Sequence, residues 1–115
     1  MATSREYFEF ILEQLSELEE ISYRSMMGEY IIYYRGRIAA YVCDDRLLVK
    51  PTAAAAALMP TAVYEAPYEG AKEMLLVEWV DDKAFLTELF TAMYDELHAP
   101  KPKRIRSSGR SERLA

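Results

Sequence analysis

A single cysteine, Cys43, leaves the chain without any internal disulfide and without the thiolate pair that a structural zinc site needs. Histidine is as scarce. His98 is alone and falls at the end of a helical pattern, where a helix dipole favours a partly positive imidazole, so neither a metal cluster nor a histidine base beside a nucleophile can be assembled. The four glycines form no phosphate-cradling loop, and there is neither a zinc-finger spacing nor an aromatic-basic RNA motif. No run approaches the roughly 18 consecutive apolar residues of a membrane span, and the N-terminus is acidic and amphipathic where a leader would be basic and hydrophobic. These absences predict a soluble cytoplasmic protein that is no enzyme, holds no cofactor or metal, and takes no small-molecule substrate.

What is present suits one packed domain. The 115 residues are 51% apolar and 29% charged, enough to bury a core and too few for two ordinary ones. Charge is divided unevenly. Residues 1–100 carry 8 Lys/Arg against 18 Asp/Glu, whereas residues 101–115 carry 6 against 1. An acidic body repels phosphate backbones, so any nucleic-acid contact would have to come through the tail or through a local patch that overcomes this field. The tail Lys101–Pro102–Lys103–Arg104–Ile105–Arg106 and onward to Arg110 has almost no apolar content and is predicted to be disordered. Residues 1–100 are therefore read as the domain and 101–115 as a basic tail.

Thr3 followed by Glu6 has capping-box spacing, and Phe8, Ile11, Leu12, Leu15 and Leu18 recur on one helical face, predicting a helix over 4–20 with a glutamate-rich solvated side. From Ile21 the pattern becomes extended. Strands are expected at Ser22–Met27, Glu29–Tyr34, Ile38–Cys43 and Arg46–Lys50, a meander turning at Gly28, at Arg35–Gly36–Arg37 and at Asp44–Asp45. Tyr30–Ile31–Ile32–Tyr33–Tyr34 is apolar on both faces, as expected of a strand covered on each side or by a partner chain. Thr52 caps a short helix Ala53–Met59 that Pro60 stops. Brief strands follow near Val63–Ala66 and at Met74–Glu78. Asp81 or Asp82 then caps a last helix with the core stripe Phe85, Leu86, Leu89, Phe90, Met93 and Leu97. The expected fold class is α+β, an antiparallel sheet of five to six strands packed with N- and C-terminal helices.

Candidate sites are few. Asp44–Asp45 and Asp81–Asp82 pair carboxylates, but turns and helix starts prefer aspartate. Cys43 falls within a strand, where a buried inert thiol competes with a redox role. The tyrosines are more informative, because Tyr23, Tyr30, Tyr33, Tyr34 and Tyr41 crowd the first three strands. A large apolar ring with a polar tip suits a core margin first and a protein interface second, and Tyr23, Tyr33, Tyr34 and Tyr41 are candidates for contact with a protein partner or a second copy. Lys101, Lys103, Arg104, Arg106 and Arg110 could hold nucleic acid through the tail.

The segment Arg24–Ser25–Met26–Met27–Gly28–Glu29–Tyr30, followed by Gly36 and by Asp45–Arg46–Leu47–Leu48–Val49–Lys50, resembles the signature of the TfoX/Sxy N-terminal domain family over roughly residues 4–98. That resemblance implies terminal helices packed on an antiparallel sheet and a setting in the regulation of natural competence genes. Met27 stands where the family commonly has an aromatic. Within the motif, Arg24, Met26, Gly28, Tyr30 and Lys50 are the candidate binding residues. Arg24 and Lys50 either fix strand ends or, with Tyr30, line a small anionic or protein-binding surface.

Overall fold

Three two-residue turns organise the first half of the chain. The computed structural model describes residues 3–97, and in it the central residues Met27–Gly28, Arg35–Gly36 and Asp44–Asp45 all take positive φ, between 53° and 84°. Both central residues at positive φ is the type I′ pattern, whose twist matches that of paired strands. These turns link β1 (Ile21–Met26), β2 (Glu29–Tyr34), β3 (Arg37–Cys43) and β4 (Arg46–Val49) into an antiparallel meander. Arg37 thus opens a strand and is no part of its turn. A bulge at Ile32/Tyr33 interrupts the β2–β3 register, with Ile32 opposite Ala40 and Tyr33 opposite Ile38.

The remaining strands, β5 (Tyr64–Glu65) and β6 (Met74–Leu76), complete a six-stranded sheet of order β1-β2-β3-β4-β6-β5. Every pairing is antiparallel. Three helices accompany it: α1 (Arg5–Gln14), α2 (Ala53–Leu58) and α3 (Lys83–Met93), the last running into a 3-10 turn at Tyr94–Glu96. Their apolar stripes, Phe8, Ile11 and Leu15 from the first and Leu86, Leu89, Phe90 and Met93 from the third, join Ile32, Tyr34, Val42, Leu47, Val49 and Leu75 in one core. The α+β fold with terminal helices and a four-strand meander is as expected from the sequence.

Caps are partly legible in the chain. Thr52 accepts from Ala55 N–H at 3.0 Å, and Asp82, of the two aspartates offered, accepts from Phe85 N–H at 3.0 Å. At the N-terminus the expectation is corrected, because Ser4 caps α1 by accepting from Tyr7 N–H at 3.1 Å. Thr3 does something else. Its buried hydroxyl donates to the Val42 carbonyl at 3.2 Å and accepts from Asp45 N–H, while its own N–H donates to the Gly28 carbonyl and Asp45 Oδ1 accepts from Ser4 N–H at 2.9 Å. The residues before α1 therefore clasp two hairpin turns at once.

The helix expected over 4–20 ends at Gln14. No basic residue compensates its last turn, and Glu13, Glu17, Glu19 and Glu20 place like charge where the helix dipole is already negative. Glu20, at φ 59°, turns the chain into β1. The 3-10 turn after α3 is pinned by Arg37, whose guanidinium donates to the carbonyls of Tyr94 (3.3 Å) and Leu97 (3.2 Å) and lies 4.5 Å over the Tyr94 ring. Glu96 then accepts from Ala53 and Ala54 N–H at 2.8 and 3.0 Å, supplying the free donors at the start of α2.

Candidate functional site

Strand pleat decides which candidate residues can act together. Side chains alternate across the sheet, so Tyr23, Tyr30 and Tyr34 face the helices while Arg24, Tyr33, Tyr41 and Lys50 belong to the opposite, open face. Tyr30 stacks on Phe8 with centroids 3.6 Å apart and planes 5° from parallel. It therefore cannot join Arg24 and Lys50 on one surface, which corrects the grouping expected from the motif. Tyr34 is closed into the core against Phe90 and Tyr94, so it offers no interface area; that expectation is corrected as well. Tyr23 is 52% exposed, packed edge-on against Phe8.

The open face has a small buried patch of its own. Ile31, Cys43, Leu48 and Met74 are all closed from solvent outside the main core. Arg46, bonded to the Cys43 carbonyl at 3.3 Å and ion-paired with Glu65 two strands away, lies along this face. Burial, with the Glu29 carboxylate adding to it, pushes the Cys43 thiol up to about 12, so the protonated form persists at neutral pH. Such a thiol is a poor nucleophile.

Two of the concave regions among the described residues are lined by candidate residues. One, of about 300 Å³, runs between α1 and the β1 edge and is lined by Arg5, Phe8, Glu9, Leu12, Tyr23, Ser25 and Tyr30. The other, of about 290 Å³, lies on the open face where the loop before β6 folds over the end of β4. Tyr41, Lys50, Tyr68, Lys72 and Glu73 give it polar groups, and Pro51, Pro67, Ala71 and Met74 its apolar walls. Tyr41 is held protonated above its ordinary range, by burial first and then by the neighbouring Tyr68, Cys43 and Tyr33. Tyr68 and Lys72 carry no signal in the sequence, because they reach Tyr41 only through the path of this loop.

The β1–β2 hairpin is the other exposed feature. Ser22 to Met27 are all exposed, and Met27, at the turn, is 96% so. Gly28 takes φ 84° and gives its carbonyl to Thr3, while Met26 is 37% exposed. Among the described residues no group of three or more His, Cys, Asp or Glu could hold a metal ion, and no helix is long and apolar enough to cross a membrane. His98 and the tail residues Lys101, Lys103, Arg104, Arg106 and Arg110 lie outside the described residues.

The model of the TfoX N-terminal domain family matches residues 13–95. The chain belongs to the TfoX N-terminal domain family. The matched stretch runs from the end of α1 through α3, so both the β1 edge and the open-face pocket fall inside the TfoX N-terminal domain. A relative from Spirochaeta aurantia, described as an uncharacterized 12.7 kDa protein in the trpE 5′ region, is 30% identical over 108 residues, spanning 93% of this chain and 94% of its own. No solved structure matches.

Proposed function

We propose that this TfoX N-terminal domain is a non-enzymatic protein-interaction domain that receives an extended segment of a partner protein on the free edge of β1. The observation that carries this is the exposure of that edge. In a two-residue hairpin the flanking pair Met26–Glu29 is hydrogen-bonded, so Ser22 and Arg24 bond inward, whereas Tyr23 and Ser25 direct N–H and C=O away from β2. An added strand would satisfy those groups and lay its side chains over the pocket of Phe8, Tyr23 and Tyr30, backbone bonds supplying affinity and the pocket selectivity. Met27 supports the same surface. It occupies a backbone conformation that costs stability and buries almost nothing in return within its own chain. A body with 8 cations against 18 acids repels a second copy of itself, which favours a different protein over a homodimer.

The test is a pull-down from native cell extract with wild-type and Ser25→Pro baits. Proline at Ser25 removes an outward N–H, replaces one hydroxyl at the rim of the pocket, and leaves the β1–β2 bonds in place. A partner captured by the wild type and lost with Ser25→Pro, at unchanged circular dichroism, is the expected result. Equal capture by both baits would reject the edge-strand mode, and a dimer in light scattering that Ser25→Pro abolishes would make the partner a second copy. A second function, nucleic-acid-associated regulation of competence genes through the basic tail, is favoured by the concentration of 6 cations against 1 acid in residues 101–115. It requires nuclease-sensitive capture whose strength falls steeply with salt.

A further inference from the structure

Cations in the body of this protein are scarce and mostly engaged. Arg5 pairs with Glu9, Arg35 with Glu19, Arg46 with Glu65 and Lys83 with Glu13, while Arg37 is held by two carbonyls and a ring. Three have no ion pair among the described residues: Arg24, Lys50 and Lys72. Two of those three line the same pocket, and the third stands on the same face, in the cross-strand row Arg24–Ile31–Tyr41. Two ammonium groups without an ion pair among the described residues are thus gathered at one pocket. We infer that the open-face pocket of Tyr41, Lys50, Tyr68 and Lys72 binds a small monocarboxylate with a compact apolar body.

Each part of the ligand class follows from the lining. The ammonium groups of Lys50 and Lys72 are point donors for an anion, and the hydroxyls of Tyr41 and Tyr68 can donate to it as well. Protonated Tyr41 keeps its donor through the physiological range. Glu73 also lines the pocket, so the balance is one net positive charge, which matches a monoanion better than a dianion. No guanidinium is among the lining residues to grip a phosphate bidentately. Pro51, Pro67, Ala71 and Met74 supply walls for an apolar body, and about 290 Å³ corresponds to about ten waters, enough for a single substituted ring or a short branched chain. The pocket is separate from the β1 edge, and its occupancy can be measured whether or not a protein partner binds there.

The experiment titrates the full-length protein with benzoate, phenyl phosphate and benzyl alcohol at fixed ionic strength, following backbone amide shifts by NMR. Benzoate is expected to saturate at millimolar concentrations, with shifts centred on Tyr41, Lys50, Tyr68 and Lys72. Lys50→Met and Lys72→Met are each expected to weaken it about tenfold, as loss of a charge-assisted hydrogen bond does. Lys83→Met, outside the pocket, should leave it unchanged, and Lys50→Arg should restore most of the affinity. Lys72 is exposed, so its variant tests the pocket even if Lys50→Met unfolds. Equal binding of benzyl alcohol would show an apolar cavity with no role for charge. Tighter phenyl phosphate would overturn the choice of a monocarboxylate. Benzoate shifts confined to residues beyond Leu97, insensitive to both lysine variants, or no binding at all, would overturn the site itself.

Discussion

Replacing Met27 by asparagine should make the protein more stable. Met27 sits at φ 54° in the β1–β2 turn, where an L side chain costs roughly 1–2 kcal/mol relative to ordinary backbone and asparagine tolerates the conformation far better. The thioether gives nothing back, because at 96% exposure its removal forfeits almost no burial. The flanking register, Met26 opposite Glu29 with Gly28 second in the turn, then becomes the favoured Asn-Gly arrangement. A gain of about 1 kcal/mol is expected, equivalent to roughly 4–8 °C in Tm for a domain of this size. Urea unfolding followed by circular dichroism measures it, with an unchanged slope and a higher midpoint. Ser22→Asn, on the exposed part of β1, serves as control and should bring no gain. A midpoint that falls or stays put in Met27→Asn would refute the turn geometry or show that Met27 packs against something in the folded chain. A gain in stability accompanied by loss of the captured partner would mark Met27 as kept for contact at the expense of folding.

Other outcomes follow from the same fold. Phe90→Ala, at a fully buried core position of α3, should cost about 3–5 kcal/mol in urea unfolding. Glu96→Ala strips the acceptor from the first two N–H groups of α2 and should cost on the order of 1 kcal/mol, with amide exchange rising at Ala53 and Ala54. Cys43 should resist thiol reagents at neutral pH until the protein unfolds. Its folded value of about 12 lies above the ordinary 9.0, so this contribution to stability is complete below pH 9 and disappears as pH rises toward 12. Cys43→Ala should flatten the alkaline part of a stability-against-pH curve; an identical curve would show that the thiol does not titrate as described.

Local chemistry is the legible part of this fold. The Thr52 cap, an aspartate cap at 81–82, the Pro60 stop, the glycines of two hairpins and the stripe from Leu86 to Met93 are all written in neighbouring residues. Thr3 escapes such a reading because its partners, Val42 and Asp45, are some forty positions away, and a capping-box spacing looks the same whether or not the side chain turns elsewhere. The period-2 rule is enough to separate Tyr30 and Tyr34 from Tyr33 on sequence alone, since a strand sends alternate side chains to opposite faces. No such rule finds the pocket. Tyr41, Lys50 and Lys72 meet only because β6 inserts between β4 and β5 and carries its preceding loop back across the sheet.

The strand order has a kinetic corollary. Each of the first four strands pairs with its sequence neighbour through a two-residue turn, so the meander needs only short loops to close. β6 is different: it must find β4 across the whole of α2 and the segment before Met74. Assembly should therefore proceed from the meander outward, with the seating of β6 late. Substitutions in the hairpin turns would then act on the refolding rate, and substitutions at Leu75 mainly on unfolding. The open-face pocket, walled partly by the chain leading into β6, would be among the last features to form and the first to open.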